Sequence, residues 1–459
     1  MAFLPRFQLP QLWQVLFRLV GVLLIVFATF FFDEHMAFPG SLALIPCAGA
    51  ALIILSGRDR DDRFSLLGSR PFVFVGLISY SWYLWHWPIL AFARIHYDNI
   101  DLSVPVALGC VIVSFLVAIA SWRFIERPFR NPNGPLKRRL SVYIVSVLSL
   151  SALVSAGLFI SRSDGLPSRF SPEVAELLSH ERYWHTDQNL NCENRPTVWS
   201  RRCTYGTKTE AAELDYIILE DSHAASLATG LMPALQERGY KGILMTIPGC
   251  LPVTGPVRLT RTGGPYELCT IHNSEVSDLL AQREDVPLII LHGKWATHAE
   301  GIDRRGPSYS SDLIWSAADG STSRGQFDLI KDGAIAFQKS LQDNDLDIAI
   351  VGTLPAQSWH VPRQLARNLA YGAPRPDPST RDDYSPEKLG RIDSALSDYA
   401  DRNETVTYHS LIDLMCETEV CLVQDEHPLY VDSHHLSFAG ARYVAQRLIE
   451  DLESQLADR

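Results

Sequence analysis

Five apolar runs crowded into the first third of the chain constrain what the rest of it can be. They extend from Leu12 to Phe32, Gly40 to Leu55, Phe72 to Ile95, Val104 to Trp122 and Leu140 to Ile160. Most approach the roughly 20 residues that an α-helix needs to cross a bilayer. The second is short, so it has to tilt little or thin the membrane around it. A cleavable signal peptide would account for one such run but not for the four behind it. The expectation is therefore a set of all-α transmembrane helices with about five spans, occupying residues 1–161.

Charge changes at the same boundary. Met1 to Ser161 holds 13 Lys and Arg against 8 Asp and Glu, whereas the rest of the 459 residues holds 28 against 44. An acidic second half without a concentrated basic face argues against nucleic acid as a partner. Inside the apolar part, Arg58, Arg60, Arg63 and Arg70 fill the second connection, and Arg123, Arg127, Arg130, Lys137, Arg138 and Arg139 fill the fourth. The first connection has only Asp33 and Glu34, and beside the third the one basic residue is Arg94, at the end of the preceding run. Basic connections stay in the cytoplasm, so the N-terminus is expected inside. Everything after Ile160 is then expected outside, in the periplasm of a Gram-negative bacterium whose inner membrane holds the spans.

The cysteines test this orientation. Cys47 and Cys110 fall within the apolar runs, while Cys192, Cys203, Cys250, Cys269, Cys416 and Cys421 all lie in the exported half. An even set suits an oxidising compartment. Six cysteines allow 15 pairings, and proximity in sequence favours Cys192 with Cys203, Cys250 with Cys269, and Cys416 with Cys421. A zinc site is the rival reading, although no close C-x-x-C pair is present.

Residues 162–215 are mixed and polar, with Gly165, Pro167, Pro172 and Pro196 interrupting them. They are expected to form a linker and a disulfide-closed lead-in, with the regular fold at 216–459. There, strand-like runs (Tyr216 to Leu219, Gly242 to Ile247, Leu288 to Leu291, Asp347 to Val351, Val406 to Tyr408) alternate with helix-like segments (Ala224 to Gly239, His272 to Arg283, Phe327 to Asn344, Pro386 to Arg402). Alternation of this kind predicts a three-layer α/β domain with a parallel sheet, whose ligands bind beyond the carboxyl ends of the strands.

The first strand runs through Glu220-Asp221-Ser222-His223 into a helix. A Ser at that edge is near a positive helix N-terminus, where an alkoxide is stabilised, although an N-cap alone would look the same. The C-terminal Val431-Asp432-Ser433-His434-His435-Leu436-Ser437 segment supplies what Ser222 lacks. His435 can take the Ser222 proton while Asp432 orients the ring and stabilises the imidazolium. His434 is the competing base.

These residues resemble the SGNH (GDSL-type) hydrolase and acyltransferase superfamily, in which Ser opens the domain and Asp-x-x-His closes it. Glu220 stands where that family usually has Gly. The family's second and third blocks supply a Gly and an Asn to the oxyanion hole, and their counterparts here are Pro248-Gly249-Cys250 and His292-Gly293-Lys294-Trp295, with no Asn. The resemblance thus implies an oxyanion hole from the backbone N–H groups of Ser222 and Gly249, with Lys294 or Trp295 as helpers.

In the apolar half, Ile78-Ser79-Tyr80-Ser81-Trp82-Tyr83-Leu84-Trp85-His86-Trp87-Pro88 and Arg123-Phe124-Ile125-Glu126-Arg127-Pro128-Phe129-Arg130 resemble the late helices of acyltransferase family 3, integral membrane enzymes that acylate cell-surface glycans. That family has about ten spans, so this resemblance covers only part of its membrane domain and implies a separate N-terminal membrane half or a truncated product. His86 is not taken as the family's acyl-transfer histidine. Together the two resemblances imply O-acyl transfer, acetyl above all, from acetyl-CoA through an acyl-Ser222 to a glycan such as lipopolysaccharide O-antigen, with no bound cofactor and no metal. A carbohydrate esterase, with water as acceptor, and a non-enzymatic membrane-anchored glycan-binding protein are the rivals.

Overall fold

The computed structural model describes residues 10–32, 40–56, 68–97, 102–131, 139–194, 201–206, 214–259, 265–281, 288–301, 304, 314–319, 324–342, 346–416 and 418–457. Of the charges that set the expected orientation, Asp33, Glu34, Arg58, Arg60, Arg63, Lys137 and Arg138 lie outside the described residues, as do the expected helix ends Arg283 and Asn344. The chain divides into two compact units, with the boundary after Leu148.

The apolar unit is built from α1 (Gln11–Phe31), α2 (Leu44–Ser56), α3 (Arg70–Tyr97), α4 (Val104–Ser121) and α5 (Arg127–Arg130), the last two joined by a π-helical turn at Trp122–Glu126. Helix α6 (Arg139–Arg162) follows. Among the described residues, three helices are long and apolar enough to cross a membrane: Gln11–Phe31, Val104–Arg130 and Leu140–Arg162. Ser41–Ser56 is apolar but short. Helix α3 has 28 residues, yet its Tyr, Trp, His and Ser side chains lower its mean hydropathy.

Small residues and paired polar groups hold this unit together, as expected where lipid supplies no hydrophobic drive between helices. A Cβ on Gly21 of α1 would be 2.6 Å from the Gly49 carbonyl oxygen of α2, and one on Gly49 would be 2.7 Å from that of Gly21, so the backbones touch there. Ser81 of α3 donates to Glu126 Oε2 at 2.7 Å, and Trp82 Nε1 donates to Ser114 Oγ of α4 at 3.0 Å.

The second unit opens with α7 (Pro172–Ser179) and continues β1 (Leu190–Asn194), β2 (Arg201–Tyr205), β3 (Tyr216–Glu220), α8 (Ser222–Glu237), β4 (Gly242–Thr246), β5 (Val257–Arg258), α9 (Glu267–Ala281), β6 (Leu288–His292), α10 (Trp295–Glu300), β7 (Trp315–Ser316), α11 (Gln326–Gln342), β8 (Ile348–Val351), α12 (Val361–Tyr371), α13 (Arg391–Ala400), β9 (Val406–His409), α14 (Leu411–Met415) and α15 (Phe438–Ala457). The main sheet has the order β1-β2-β4-β3-β6-β8-β9. Its last five strands are parallel, while β1 and β2 are antiparallel additions at one edge. The parallel part thus has order 2-1-3-4-5, with its switch point between β3 and β6, where such sheets place ligands.

The sheet corrects two expectations. It is mostly parallel rather than wholly so, and regular structure begins in the lead-in, before Tyr216. The hairpin was hidden because its strands are short and polar and extend one edge of the sheet, β1 outermost and β2 between β1 and β4. Cys192 and Cys203 face each other across it and are bonded. Cys250 is bonded to Cys269, and Cys416 to Cys421.

Alternation along the strands builds two cores. Ile218, Leu244 and Ile290 pack with Leu227, Leu231 and Leu235 of α8 and Val444, Leu448 and Leu452 of α15. Ile217, Leu219, Ile289 and Ile350 pack on the opposite face with Phe337 of α11 and Leu396 of α13. Each such side chain contributes about 1.5–3 kcal/mol by burial. On the first face α8 and α15 cross closely, since a Cβ on Gly230 would be 2.2 Å from the Ala441 carbonyl carbon.

Glu220 ends β3 in full burial, and neither of its carboxyl oxygens has a hydrogen-bond partner among the described residues. His272 Nε2 of α9 lies 3.7 Å from Oε1. Burial, with Asp221 adding to it, pushes the Glu220 carboxyl up to about 8, and burial pushes His272 down to about 4. At neutral pH the contact is therefore between an uncharged acid and an uncharged imidazole, not an ion pair.

Gly230→Ala should destabilise the protein by about 1–3 kcal/mol, because the added methyl has no room between two backbones; an unchanged Tm would contradict the crossing. Glu220→Gln tests the buried acid. The native carboxyl holds its proton to higher pH than the unfolded one, so it loses stability as pH rises from the ordinary carboxylate range toward about 8. The variant's Tm advantage over the parent should grow between pH 5 and pH 8. An advantage independent of pH would show that Glu220 ionises normally.

Candidate active site

The site grows out of the end of β3. All five residues of that strand are buried, and the chain turns directly into α8 with Asp221 as N-cap. Asp221 accepts from the His223 backbone N–H at 2.7 Å and from the Lys294 backbone N–H at 2.9 Å. One carboxylate thus pins the turn that carries Ser222 to the loop after β6. The Thr246 hydroxyl donates to the Asp221 carbonyl at 2.9 Å, tying in the end of β4. Ser222 is then the first residue of α8, where a backbone N–H has no partner inside the helix.

The opposite wall is the loop between α14 and α15. His435 Nε2 is 2.8 Å from Ser222 Oγ, and His435 Nδ1 is 2.8 Å from Asp432 Oδ2. Asp432 Oδ1 also accepts from the backbone N–H groups of His434 and His435, both at 2.8 Å. Burial by itself would raise the Asp432 carboxyl, but His434, His435 and these hydrogen bonds hold it well below the usual carboxylate range. The loop is fixed in turn by Val361 N donating to the Asp432 carbonyl at 3.0 Å, Gln357 N to that of Ser433 at 2.6 Å, and Val431 N to that of His435 at 3.0 Å. With the Asp432 acceptor on Nδ1, the ring's lone pair is on Nε2, facing the Ser222 hydroxyl.

The settings of three residues near this relay escaped the sequence reading, although His434 was read there as the competing base. Tyr183, from the lead-in, donates to Asp432 Oδ2 at 3.4 Å and presents its ring to His435 edge-on, with centroids 6.1 Å apart. Burial, then the Asp432 charge, pushes its hydroxyl up to about 12. His223 packs its ring 4.9 Å from that of His435 and is held well below the usual histidine range, first by burial and then by His435 and His434. His434 turns its Nδ1 to Ser433 Oγ at 2.9 Å. Motifs flag none of these, since each depends on a contact made by the fold.

The oxyanion candidates separate. Gly249 lies in a turn with φ +73, and a Cβ there would be 2.7 Å from Arg258 Nη1, so this turn needs a glycine. Lys294 uses its backbone N–H on Asp221. Trp295 is wholly buried and its indole donates to the Val351 carbonyl at 3.2 Å. That side chain is core, which corrects its expected role as a helper: the residue after Lys294 begins α10 and faces the sheet.

A family described as "SGNH domain (fused to AT3 domains)" matches residues 186–450. BcsY of Komagataeibacter xylinus, described as a membrane-bound transacylase, is 28% identical over 35% of this chain and 42% of its own length. The O-acetyltransferase OatA of Staphylococcus aureus strain MRSA252 is 27% identical over 33% of this chain and 26% of its own. The match thus spans less than half the length of these relatives. The lipopolysaccharide acetyltransferase periplasmic domain of Salmonella ser. Paratyphi A is 18% identical, with a TM-score of 0.37 over 52% of this chain and 84% of that one. With more than half of its residues matched, from the β1 region to α15, the chain belongs to the SGNH domain family fused to AT3 domains.

Proposed function

We propose that this chain is an O-acyltransferase that moves an acyl group, acetyl above all, to a hydroxyl of a cell-surface glycan through an ester on Ser222. The observation that carries the reading is the continuous relay from Ser222 Oγ through His435 to Asp432, with both links at 2.8 Å. In the first half-reaction Ser222 Oγ bonds to the acyl carbon, His435 Nε2 takes the hydroxyl proton, and the donor's leaving group departs with that proton. In the second, a sugar hydroxyl gives its proton to His435 and attacks the acyl carbon. The Ser222 oxygen leaves and recovers the proton. Asp432 stabilises the imidazolium in both halves without itself being protonated. Backbone N–H groups of Ser222 and Gly249 serve the developing oxyanion.

The membrane part of the reading is five spans within residues 1–161, including the short α2 and the aromatic α3, with the N-terminus in the cytoplasm and the SGNH domain in the periplasm. The lead-in, 162–215, and the domain at 216–459 act there as one body, since Tyr183 reaches the Asp432 carboxylate. Acetyl-CoA is the cytoplasmic donor whose acyl group the membrane part hands outward. The resemblance of the apolar half to acyltransferase family 3 and the names of BcsY and OatA support this reading.

The test is turnover of an activated acetyl ester, with and without added glycan. Ser222→Ala and His435→Ala should each lower it by about 10⁴-fold or more, with the double variant little worse, because a triad fails as a unit. Asp432→Asn should cost less and His434→Ala little. Acetylated glycan identifies a transferase, whereas free acetate in undiminished yield would make the protein an esterase. Full turnover by a folded Ser222→Ala variant would remove the enzymatic reading. Orientation has its own measurement: a reporter fused after Arg459 should be active only when exported, and cytoplasmic activity would reverse the topology.

A further inference from the structure

The histidine next to the nucleophile has no part in the relay, and its setting is unusual. His223 is 2% exposed, and among the described residues neither of its ring nitrogens has a hydrogen-bond partner. A buried polar group left unmatched is destabilising, and a ligand would relieve that cost. Its ring centroid is 5.4 Å from that of His434 and 4.9 Å from that of His435. One ring nitrogen from each of the three histidines falls within 4.8 Å of the other two.

We infer that His223, His434 and His435 form a site for one divalent transition-metal ion of the zinc class, and that filling it switches acyl transfer off. The inference rests on the triad reading for its consequence, but not for its ligands. Three imidazoles suit Zn2+, Co2+ or Cu2+, whereas Mg2+ and Ca2+ require oxygen donors. Zinc–imidazole bonds of about 2.0–2.1 Å need the three nitrogens drawn closer together, and no hydrogen bond holds the His223 ring against that turn.

The switch follows from a single lone pair. His435 commits Nδ1 to Asp432, so its other nitrogen, Nε2, is the one that can accept either the Ser222 hydroxyl or a metal, never both. When the metal takes it, Ser222 keeps its proton, has no base, and stays a weak nucleophile. Asp432 strengthens the competing ligand as it strengthens the base, because a carboxylate on the far nitrogen raises the basicity of a metal-bound imidazole.

A second group, Glu176 of α7 and its C-cap His180 with His427, could also take a metal, so the experiment uses the full chain in detergent carrying His180→Ala and His427→Ala. That protein is stripped with EDTA and dialysed against Zn2+. Bound zinc is measured by elemental analysis, the Co2+ form by its visible spectrum, and activity by activated acetyl ester turnover.

One zinc per chain should bind, and turnover should fall and return with EDTA. His223→Asn should weaken zinc binding about tenfold or more and remove most of the zinc sensitivity, read as the ratio of turnover with zinc to turnover with EDTA. Ser222→Ala should bind zinc at least as tightly as its parent, because the competing hydroxyl is gone. If His223→Asn does not fold, His434→Asn carries the same expectation. Undiminished zinc binding in the folded His variant, or bound zinc without loss of turnover, overturns the inference. No turnover even in EDTA would instead defeat the triad reading, while zinc stoichiometry would still decide the site.

Discussion

The Asp221 carboxylate is the interaction on which the second unit turns. It caps α8 through the His223 N–H, and it captures the Lys294 N–H from the loop after β6. These two strands flank the switch point of the sheet, where the chain leaves β3 in one direction and β6 in the other. One buried acceptor thus closes the crevice floor and sets the angle at which Ser222 enters its helix. Burial alone would raise the Asp221 carboxyl, and the N–H groups aimed at it oppose that cost. The arrangement stands because a carboxylate that receives several backbone donors retains most of what it loses by leaving water.

The far wall repeats the device. Asp432 collects two backbone N–H groups on one oxygen and His435 Nδ1 on the other, so the loop that carries the base is folded around its own orienting group. That loop is further anchored by Gln357 and Val361 at the start of α12, and Tyr183 closes it from the lead-in. The polar elements that add little to the hydrophobic core therefore converge where the chemistry is, while Ile218, Leu244 and Ile290 on one face and Ile217, Leu219 and Ile289 on the other supply the rigidity behind it.

Legibility in the sequence followed the same division. The five parallel strands could be read because full burial demands β-branched runs such as Tyr216–Leu219 and Leu288–Leu291, and the expected ends fall within a residue or so of those observed. Ser222, Asp432 and His435 could be placed because a nucleophile at a strand end and an Asp-x-x-His before the last helix leave a pattern in order and spacing. The β1–β2 hairpin could not, since Leu-Asn-Cys-Glu-Asn and Arg-Arg-Cys-Thr-Tyr carry no alternation strong enough to separate an edge strand from a loop. Tyr183 meets Asp432 across 249 residues, and no local signal spans such a distance. Trp295 was misplaced by adjacency: one residue beyond the loop that meets Asp221, the helix has already turned its side chain to the core.

Four histidines around one serine differ in what their rings face, and the proposed reading makes only one of them its base. An imidazolium persists in a buried site only where a carboxylate meets it. His223 has no such partner among the described residues, and its burial together with the neighbouring rings keeps it uncharged. His292 gives one ring nitrogen to the Val351 carbonyl at 3.1 Å, and burial pushes it down to about 4. His434 lies 3.5 Å from Asp432 Oδ1 but directs its Nδ1 to Ser433. His435 alone has the carboxylate on one nitrogen and the nucleophile on the other. On the proposed reading the proton taken from Ser222 rests on His435, because that ring alone joins the serine to the carboxylate through its two nitrogens.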